Sequence, residues 1–172
     1  MKYDYPTLYE KNAKFYNRYP LAKKCLLLAD KGLTALFFVG YLTLFVYGVC
    51  ENAFSVKQYF LWTAIPTLAL LLVSILRLAI HRPRPYAKNG AGITPLKIRD
   101  GDENSSFPSR HLTCATVITT LLCFYCPPIG GLFAIACLLL GYTRFALGLH
   151  YPSDLLAGGG LGIACGLLLF LF

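Results

Sequence analysis

The twelve residues TRFALGLHYPSD, Thr143 to Asp154, decide the fold, because they place charged groups between two long apolar runs. His150 follows Arg144 by six residues, and Asp154 follows His150 by four. Charge at the edge of a membrane span is costly unless it is solvated or used. The stretch therefore predicts a functional turn between two membrane-spanning helices.

Two earlier stretches carry matching polar groups. The first is RLAIHRPRP, residues 77–85, and the second is FPSRH, residues 107–111. Both adjoin apolar runs, so we expect both to lie at span ends. Together with Thr143–Asp154 they supply several arginines and all three histidines of the chain, of which His111 and His150 are site candidates; this cationic set suits a phosphate ester.

The composition indicates a membrane protein. Of the 172 residues, 56% are hydrophobic and 14% are charged, whereas about a quarter of a typical soluble domain is charged. The charges are segregated and leave long uncharged runs, which is the pattern of membrane spans. The net charge of +8 raises the question of nucleic acid, but the chain has no long basic helix and no zinc-ligand spacing. We therefore expect no nucleic-acid partner, and expect an anionic lipid or phosphate.

The apolar runs predict an all-α transmembrane bundle of about five spans. The uncharged run 112–143 is too long for one crossing, and the Pro127-Pro128 pair divides it. Trp62 is expected to anchor the second span at the membrane interface, and Pro66 to kink it. The predicted spans are residues 32–50, 58–80, 108–125, 129–149 and 153–172.

Residues 1–31 are predicted to form an N-terminal segment, followed by a transmembrane domain over residues 32–172. Basic residues alternate with tyrosines and phenylalanines along the segment. This pattern predicts an amphipathic helix in the lipid headgroup region, with a soluble N-terminal helix as the alternative.

Small residues inside the apolar runs are interpreted as packing residues. Gly158, Gly162 and Gly166 share one helix face, which permits close helix approach within the chain or between subunits. The seven cysteines are odd in number and mostly apolar in context, so we expect fillers and no redox or metal site.

Five spans place all three polar stretches at one membrane face. The second span ends, the third begins, the fourth ends and the fifth begins on that side, so the stretches are expected to form one site. Of the 16 Lys and Arg residues, 15 lie on this side and only Lys57 lies opposite. The positive-inside rule then predicts a cytoplasmic site and a cytoplasmic N-terminus.

Hydrolysis of a phosphate ester without a metal needs fixed positive charge, an oriented nucleophile and a proton donor. Arginine forks match phosphate oxygens and keep their charge. Ser109 is expected near the start of a helix with Pro108 in its first turn, where free N–H groups favour an anion. Asp154 can hold one imidazole nitrogen and so present the other as a nucleophile.

The three stretches resemble the signature of the type-2 phosphatidic acid phosphatase family, membrane enzymes related to the vanadium haloperoxidases. The family pattern is a basic residue, six residues and Arg-Pro, then Pro-Ser-Gly-His, then Ser-Arg, five residues, His, three residues and Asp. Each motif alone is weak, but the ordered set is highly specific. This chain reads Arg77-x6-Arg84-Pro85, then Pro108-Ser109-Arg110-His111, then Thr143-Arg144-x5-His150-x3-Asp154.

The resemblance implies a role for each matching residue. His150 would attack phosphorus and form a phosphohistidine, oriented by Asp154, while His111 would protonate the leaving oxygen. No metal and no cofactor are implied. The phosphoryl group would be bound by Arg77, Arg84, Arg144 and Ser109.

Three residues depart from the family pattern. Arg77 replaces lysine and Thr143 replaces serine, which keeps the charge and the hydroxyl. Arg110 replaces a glycine, whose missing side chain lets the backbone approach phosphate closely. The Arg110 side chain therefore either points away from the site or joins the phosphate-binding residues as a fourth cation. A fourth cation would favour a diphosphate or a charged headgroup. The alternative is that Arg110 weakens activity.

Other polar residues receive simpler interpretations. Arg82 is expected to be a snorkelling anchor at the span end, and His81 an interfacial residue. Asp100, Asp102 and Glu103 lack the spacing of a calcium loop, so a solvated loop is expected.

The sequence as a whole predicts an enzyme that removes phosphate from a membrane lipid. Phosphatidate, phosphatidylglycerol phosphate and polyprenyl phosphate or diphosphate all fit, and the oligomeric state stays open. One alternative is a catalytically silent membrane protein that binds or moves lipid phosphates. A small anion channel is a third reading, but it explains neither the histidines nor their spacing.

Overall fold

The computed structural model describes residues 4–51, 54–97 and 105–168, and it is all-helical over these ranges. The predicted all-α class is confirmed. Six helices occur in the order α1 (Tyr5–Arg18), α2 (Pro20–Cys50), α3 (Val56–Ile80), α4 (Arg110–Tyr125), α5 (Pro127–Ala146) and α6 (Pro152–Gly166).

Three of these helices, α2, α3 and α5, are long and apolar enough to cross a membrane. The described parts of α4 and α6 have 16 and 15 residues. At 1.5 Å per residue they rise about 22–24 Å, less than the hydrocarbon core of about 30 Å. Helices α2 to α6 follow the order of the five predicted spans. That α4 and α6 also cross the membrane stays a prediction.

No helix boundary lies at residue 31, where the N-terminal segment was predicted to end. Helix α2 begins at Pro20 and continues through residues 31 and 32 without a break. The interruption lies at Tyr19 instead, because proline disfavours a helical conformation of the residue before it. The division into 1–31 and 32–172 stays a prediction. Residues 100–103 and the last four residues of the fifth predicted span lie outside the described residues.

Helix α4 is the central element of the bundle and contacts α2, α3, α5 and α6. Its approach to α6 depends on the glycine face of α6. A Cβ at Gly158 would lie 2.6 Å from the carbonyl oxygen of Ser109, and one at Gly162 would clash with Thr116. The Thr116 hydroxyl also donates a hydrogen bond to the Gly159 carbonyl at 3.1 Å. The glycine face therefore packs within the chain.

Trp62 is a core residue, so its expected place at the membrane interface is wrong. It is 1% exposed and lies between the rings of Tyr41 and Phe54, with Tyr125 beside it. The aromatic rings of three elements bury more apolar area together than a lipid-facing tryptophan would. Pro66 lies inside α3.

Helix α1 packs onto the loops that carry the site. The Tyr9 hydroxyl accepts a hydrogen bond from the Leu96 N–H at 3.0 Å and donates one to the Thr94 carbonyl at 3.1 Å. Gly148, two residues before His150, has a φ of +77°, and a Cβ there would lie 2.9 Å from the Tyr9 hydroxyl oxygen. Helix α1 thus fixes the turn between α5 and α6, while its position in the headgroup region stays a prediction.

Candidate active site

The three polar stretches converge on one small pocket. The end of α3, the loop after it, the start of α4 and the turn between α5 and α6 each contribute to its wall. Five of the eight residues predicted for the site line this pocket: Arg77, Arg84, Arg110, His111 and His150.

His150 is buried, being 2% exposed, and two acceptors face its Nδ1. The Ser106 carbonyl oxygen lies 3.0 Å from Nδ1, and the Asp154 Oδ2 lies 3.6 Å away. Since both neighbours accept hydrogen bonds, they favour the tautomer with its proton on Nδ1. That tautomer leaves Nε2 with a free electron pair. Asp154 was expected to orient the imidazole of His150, and Ser106 shares this role. The Ser106 carbonyl accepts the hydrogen bond from Nδ1, and the Asp154 carboxylate adds its negative charge nearby.

The charge state of His150 follows from its surroundings. Burial lowers the pKa of His150 below its ordinary value of 6.5, Asp154 opposes this shift, and Arg84 and Arg144 reinforce it. The net direction is downward, so the imidazole is neutral at pH 7. A neutral imidazole is the form that can act as a nucleophile.

Asp154 joins the three stretches through its side chain and its backbone. The carboxylate is fully buried and accepts hydrogen bonds from Arg82 Nη1 at 2.7 Å, from the Tyr151 N–H at 3.0 Å and from the Ser106 hydroxyl. Its own carbonyl oxygen accepts the Ser109 N–H at 3.0 Å. A buried carboxylate held by several donors keeps a fixed position and its charge.

Arg82 belongs to this network, so its interpretation as a membrane anchor is wrong. Besides Asp154, its Nη1 donates to the Ser153 hydroxyl at 2.8 Å, and its guanidinium carbon lies 4.3 Å from the Tyr151 ring centre. Helix α3 ends at Ile80, and its C-cap His81 lies in the left-handed region with φ 45°. The chain then turns back toward the bundle, and a carboxylate is available there to pair with Arg82.

Arg82 and Ser106 hold the Asp154 carboxylate with their side chains, and the sequence analysis assigned neither of them to the site. The signal for Arg82 was its spacing, because residues two apart in an extended stretch point the same way and Arg84 is two residues further on. Ser106 gave no comparable signal, since its contribution includes a backbone carbonyl.

Arg77 and Arg84 are each fixed by the backbone of another stretch. Arg77 Nη1 donates to the Pro108 carbonyl at 3.2 Å, and Arg84 Nη1 donates to the Leu149 carbonyl at 3.0 Å. Both side chains are buried. Holding the guanidinium groups in place before substrate arrives removes part of the cost of ordering them around a phosphoryl group.

Arg144 lies beside the small pocket and lines a larger cavity of about 560 Å³ together with His111, Leu149 and Lys97. It is 4% exposed. Its positive charge contributes to the lowered pKa of His150.

Ser109 is the N-cap of α4 and is fully buried. Among the described residues its hydroxyl has no hydrogen-bond partner. Pro108 lies before the cap, so its expected place in the first helical turn is wrong. Asp154 holds the Ser109 N–H and keeps Ser109 extended, with φ −74° and ψ 108°, so that α4 begins at Arg110. The start of the helix favours an anion nearby.

Arg110 lines the pocket and so does not point away from it, while its binding of phosphate stays a prediction. Arg110 and His111 also line an apolar groove of about 250 Å³ between α2 and α4, with Phe37, Phe38 and Ile118 in its wall. The small cationic pocket and the apolar groove are therefore adjacent at the start of α4.

Comparisons with known proteins identify the family of the chain. The model of the PAP2 superfamily matches residues 56–172. The undecaprenyl-diphosphatase BcrC of Bacillus subtilis is 31% identical over 117 residues, covering 67% of this chain and 58% of that protein. A lipid A 1-phosphatase of Rhizobium etli is 35% identical over 95 residues, covering 54% of this chain and 40% of that protein. The chain spans about half the length of these curated relatives.

Solved structures share the fold. The crystal structure of LpxE from Aquifex aeolicus aligns with a TM-score of 0.59 at 24% identity, covering 84% of this chain and 87% of that one. The PAP2-type phosphatidylglycerolphosphate phosphatase from Bacillus subtilis aligns with a TM-score of 0.60 at 23% identity, covering 96% and 92%. With three apolar helices of spanning length and its motifs gathered on one pocket, the chain belongs to the PAP2 superfamily and is an integral membrane protein.

Proposed function

We propose that this protein is a phosphatase that hydrolyses a membrane lipid phosphate through a phosphohistidine at His150. One observation carries the proposal: a buried, neutral histidine, held at Nδ1 by two acceptors, lines a pocket with three arginines and a second histidine. This arrangement supplies the nucleophile, the positive charge and a proton donor in one place.

The first half-reaction transfers the phosphoryl group to the enzyme. The phosphoryl oxygens are bound by Arg77, Arg84, Arg144 and the Ser109 hydroxyl. Nε2 of His150 attacks phosphorus opposite the ester oxygen. The P–N bond forms as the P–O bond breaks, and His111 gives its proton to the leaving oxygen. The fixed guanidinium groups stabilise the charge on the equatorial oxygens.

The second half-reaction releases phosphate. The deprotonated His111 accepts a proton from water, and the oxygen of that water attacks phosphorus as the P–N bond breaks. Inorganic phosphate leaves, His150 regains its electron pair, and His111 is again protonated. One residue thus serves as acid in the first step and as base in the second.

The proposed substrate class is a lipid with a terminal phosphate, such as phosphatidate, phosphatidylglycerol phosphate or a polyprenyl phosphate or diphosphate. The apolar groove beside His111 and Arg110 supports this class, since it has room for part of a hydrocarbon chain. Arg110 adds a cation where the family pattern has glycine, which favours a substrate with a further anionic group. The distribution of Lys and Arg supports a cytoplasmic active-site face.

The test is phosphate release from a panel of lipid phosphates in detergent micelles with a chelator present. We expect the wild type to release phosphate, and His150→Ala to lose about 10⁴-fold or more in kcat. His81→Asn is the matched control, because His81 is exposed and outside the pocket and asparagine tolerates its left-handed backbone.

A quenched reaction with labelled substrate distinguishes the mechanism. We expect acid-labile phosphate on the wild-type chain and none on the His150→Ala variant. If the wild type releases no phosphate from any lipid but is stabilised by orthovanadate, the alternative of a silent lipid phosphate-binding protein replaces the enzyme.

A further inference from the structure

A second buried carboxylate, Asp30 of α2, lies next to the site, and none of the three motifs includes it. Asp30 is 1% exposed. Its Oδ1 lies 3.0 Å from Arg144 Nε and accepts from the Thr143 hydroxyl at 3.3 Å, while its Oδ2 lies 2.8 Å from Lys97 Nζ. A carboxylate buried this deeply persists only where cations and donors offset its desolvation.

Helix α2 holds the Arg144 guanidinium at two points. Asp30 contacts Nε, and the hydroxyl of Thr34, one turn further along α2, accepts a hydrogen bond from Nη2 at 2.8 Å. The same hydroxyl donates to the Asp30 carbonyl at 2.8 Å, which fixes its orientation. Contacts on two different nitrogens fix both the position and the rotation of a planar guanidinium group.

We propose that Asp30 is a positioning residue, which holds Arg144 ready for the phosphoryl group and so makes α2 a part of the active site. This inference rests on the proposed phosphatase function. Asp30 precedes the residues matched by the family model, which begin at residue 56. A free arginine side chain would have to lose rotamer freedom on binding phosphate, and Asp30 removes that cost in advance.

The competing explanation is that Asp30 only braces the fold through Lys97. Lys97 ends the described part of the loop after α3, and its ion pair with Asp30 would tether that loop to α2. Lys97→Met breaks this tether and leaves the contact between Asp30 and Arg144 in place. It is therefore the matched control for Asp30→Asn.

Kinetics of single and double variants separate the two explanations. We expect Asp30→Asn to lower kcat by about ten- to a hundredfold, as for the loss of one oriented donor, and Lys97→Met to change kcat by less than about threefold. In an Arg144→Ala background, Asp30→Asn should cost nothing further, because a residue that acts only through Arg144 has no effect without it. Additive losses, or an equal loss in Lys97→Met, would overturn the positioning role.

Two further measurements keep the inference separable from the proposed activity and from folding. Orthovanadate should raise the melting temperature of the wild type, and Asp30→Asn should weaken this rise as Arg144→Ala does. If the wild type binds vanadate but hydrolyses no lipid phosphate, the proposed function fails. The rise in melting temperature with vanadate, compared between the wild type and Asp30→Asn, then still tests the positioning role of Asp30. Equal vanadate stabilisation in wild type and Asp30→Asn would overturn the inference, as would a wild type that neither binds nor hydrolyses. Thr34→Val, expected to lower kcat severalfold, replaces Asp30→Asn if that variant does not fold.

Discussion

Two buried carboxylates, Asp154 and Asp30, flank the site, and they hold different partners. Each pairs with a partly exposed cation of the loop after α3: Arg82, 34% exposed, at 2.7 Å from Asp154, and Lys97, 30% exposed, at 2.8 Å from Asp30. The second partner differs, because Asp154 faces His150 and Asp30 faces Arg144. The same kind of ion pair therefore supports the proposed nucleophile on one side and an arginine proposed to bind phosphate on the other.

The surroundings of the two carboxylates differ as well. Around Asp154, helices α4 and α6 approach so closely that several α6 positions accept only glycine. Around Asp30, helix α2 borders a cavity of about 560 Å³ and lies beside an apolar groove of about 250 Å³. His150, the proposed nucleophile, thus lies in the tightly packed part of the bundle, and the apolar groove proposed for the lipid chain lies on the α2 side.

Among the substitutions that compare the two carboxylate sites, Asp154→Asn is expected to have the largest effect. We expect kcat to fall by about 10³-fold, since the amide lacks the negative charge that stabilises the cationic phosphohistidine and leaves Arg82 without its carboxylate. Phosphate release in micelles measures the loss of kcat, and Asp30→Asn is assayed in parallel for comparison. If both substitutions cost the same, the distinction between the two carboxylates is lost.

The packing difference is tested by Gly162→Ala. We expect this variant to lower the free energy of unfolding by about 1–3 kcal/mol, because the added methyl group has no space against Thr116. Gly160→Ala is the control, since nothing lies within 4 Å of a Cβ there. Thermal unfolding in detergent compares them, and similar melting temperatures would show that α4 and α6 can move apart.

Arg82 and Lys97, the loop cations that pair with Asp154 and Asp30, give the sharpest comparison of the two carboxylate sites. Arg82→Met should lower kcat about tenfold, less than for a fully buried pair because solvent screens Arg82. Lys97→Met, with nearly the same exposure and distance, is expected to leave kcat almost unchanged. Steady-state kinetics of the two variants in parallel measure this, and a larger loss in Lys97→Met would reverse the assignment of the two carboxylates.

The smallest expected effect concerns pH. Because the folded protein holds the pKa of His150 below 6.5, the acid limb of kcat/KM should lie below pH 6.5. The unfolded chain binds a proton at this histidine near pH 6.5, whereas the folded chain resists it. Stability should therefore also decline as pH falls below 6.5. A pH–rate profile checks the first expectation, and an acid limb above 6.5 would contradict it.

Much of the fold and of the site could be predicted from local sequence. The uncharged runs predicted the apolar helices and their order, because the length of an apolar run can be read from local sequence. Motif spacing identified the five residues that line the pocket, since each motif is short and carries its own charges.

The errors and omissions concern groups whose partners are far away in the chain. Asp30 is separated from Thr143 by 113 residues, and no local pattern distinguishes a paired carboxylate from a solvated one. Arg82 was interpreted as an anchor for the same reason, since Asp154 is 72 residues further on. Trp62 was misplaced because the aromatic rings around it come from other helices.

The links made by Asp154 also bear on the order in which the protein is made. A ribosome adds the arginines of the first stretch long before it reaches His150 and Asp154, because synthesis proceeds from the N-terminus. A chain interrupted before residue 150 carries the cations but has neither the nucleophile nor the carboxylate that joins the three stretches. The proposed mechanism therefore predicts that nascent and truncated chains hydrolyse no lipid phosphate, and that hydrolysis begins only when α6 packs against α4.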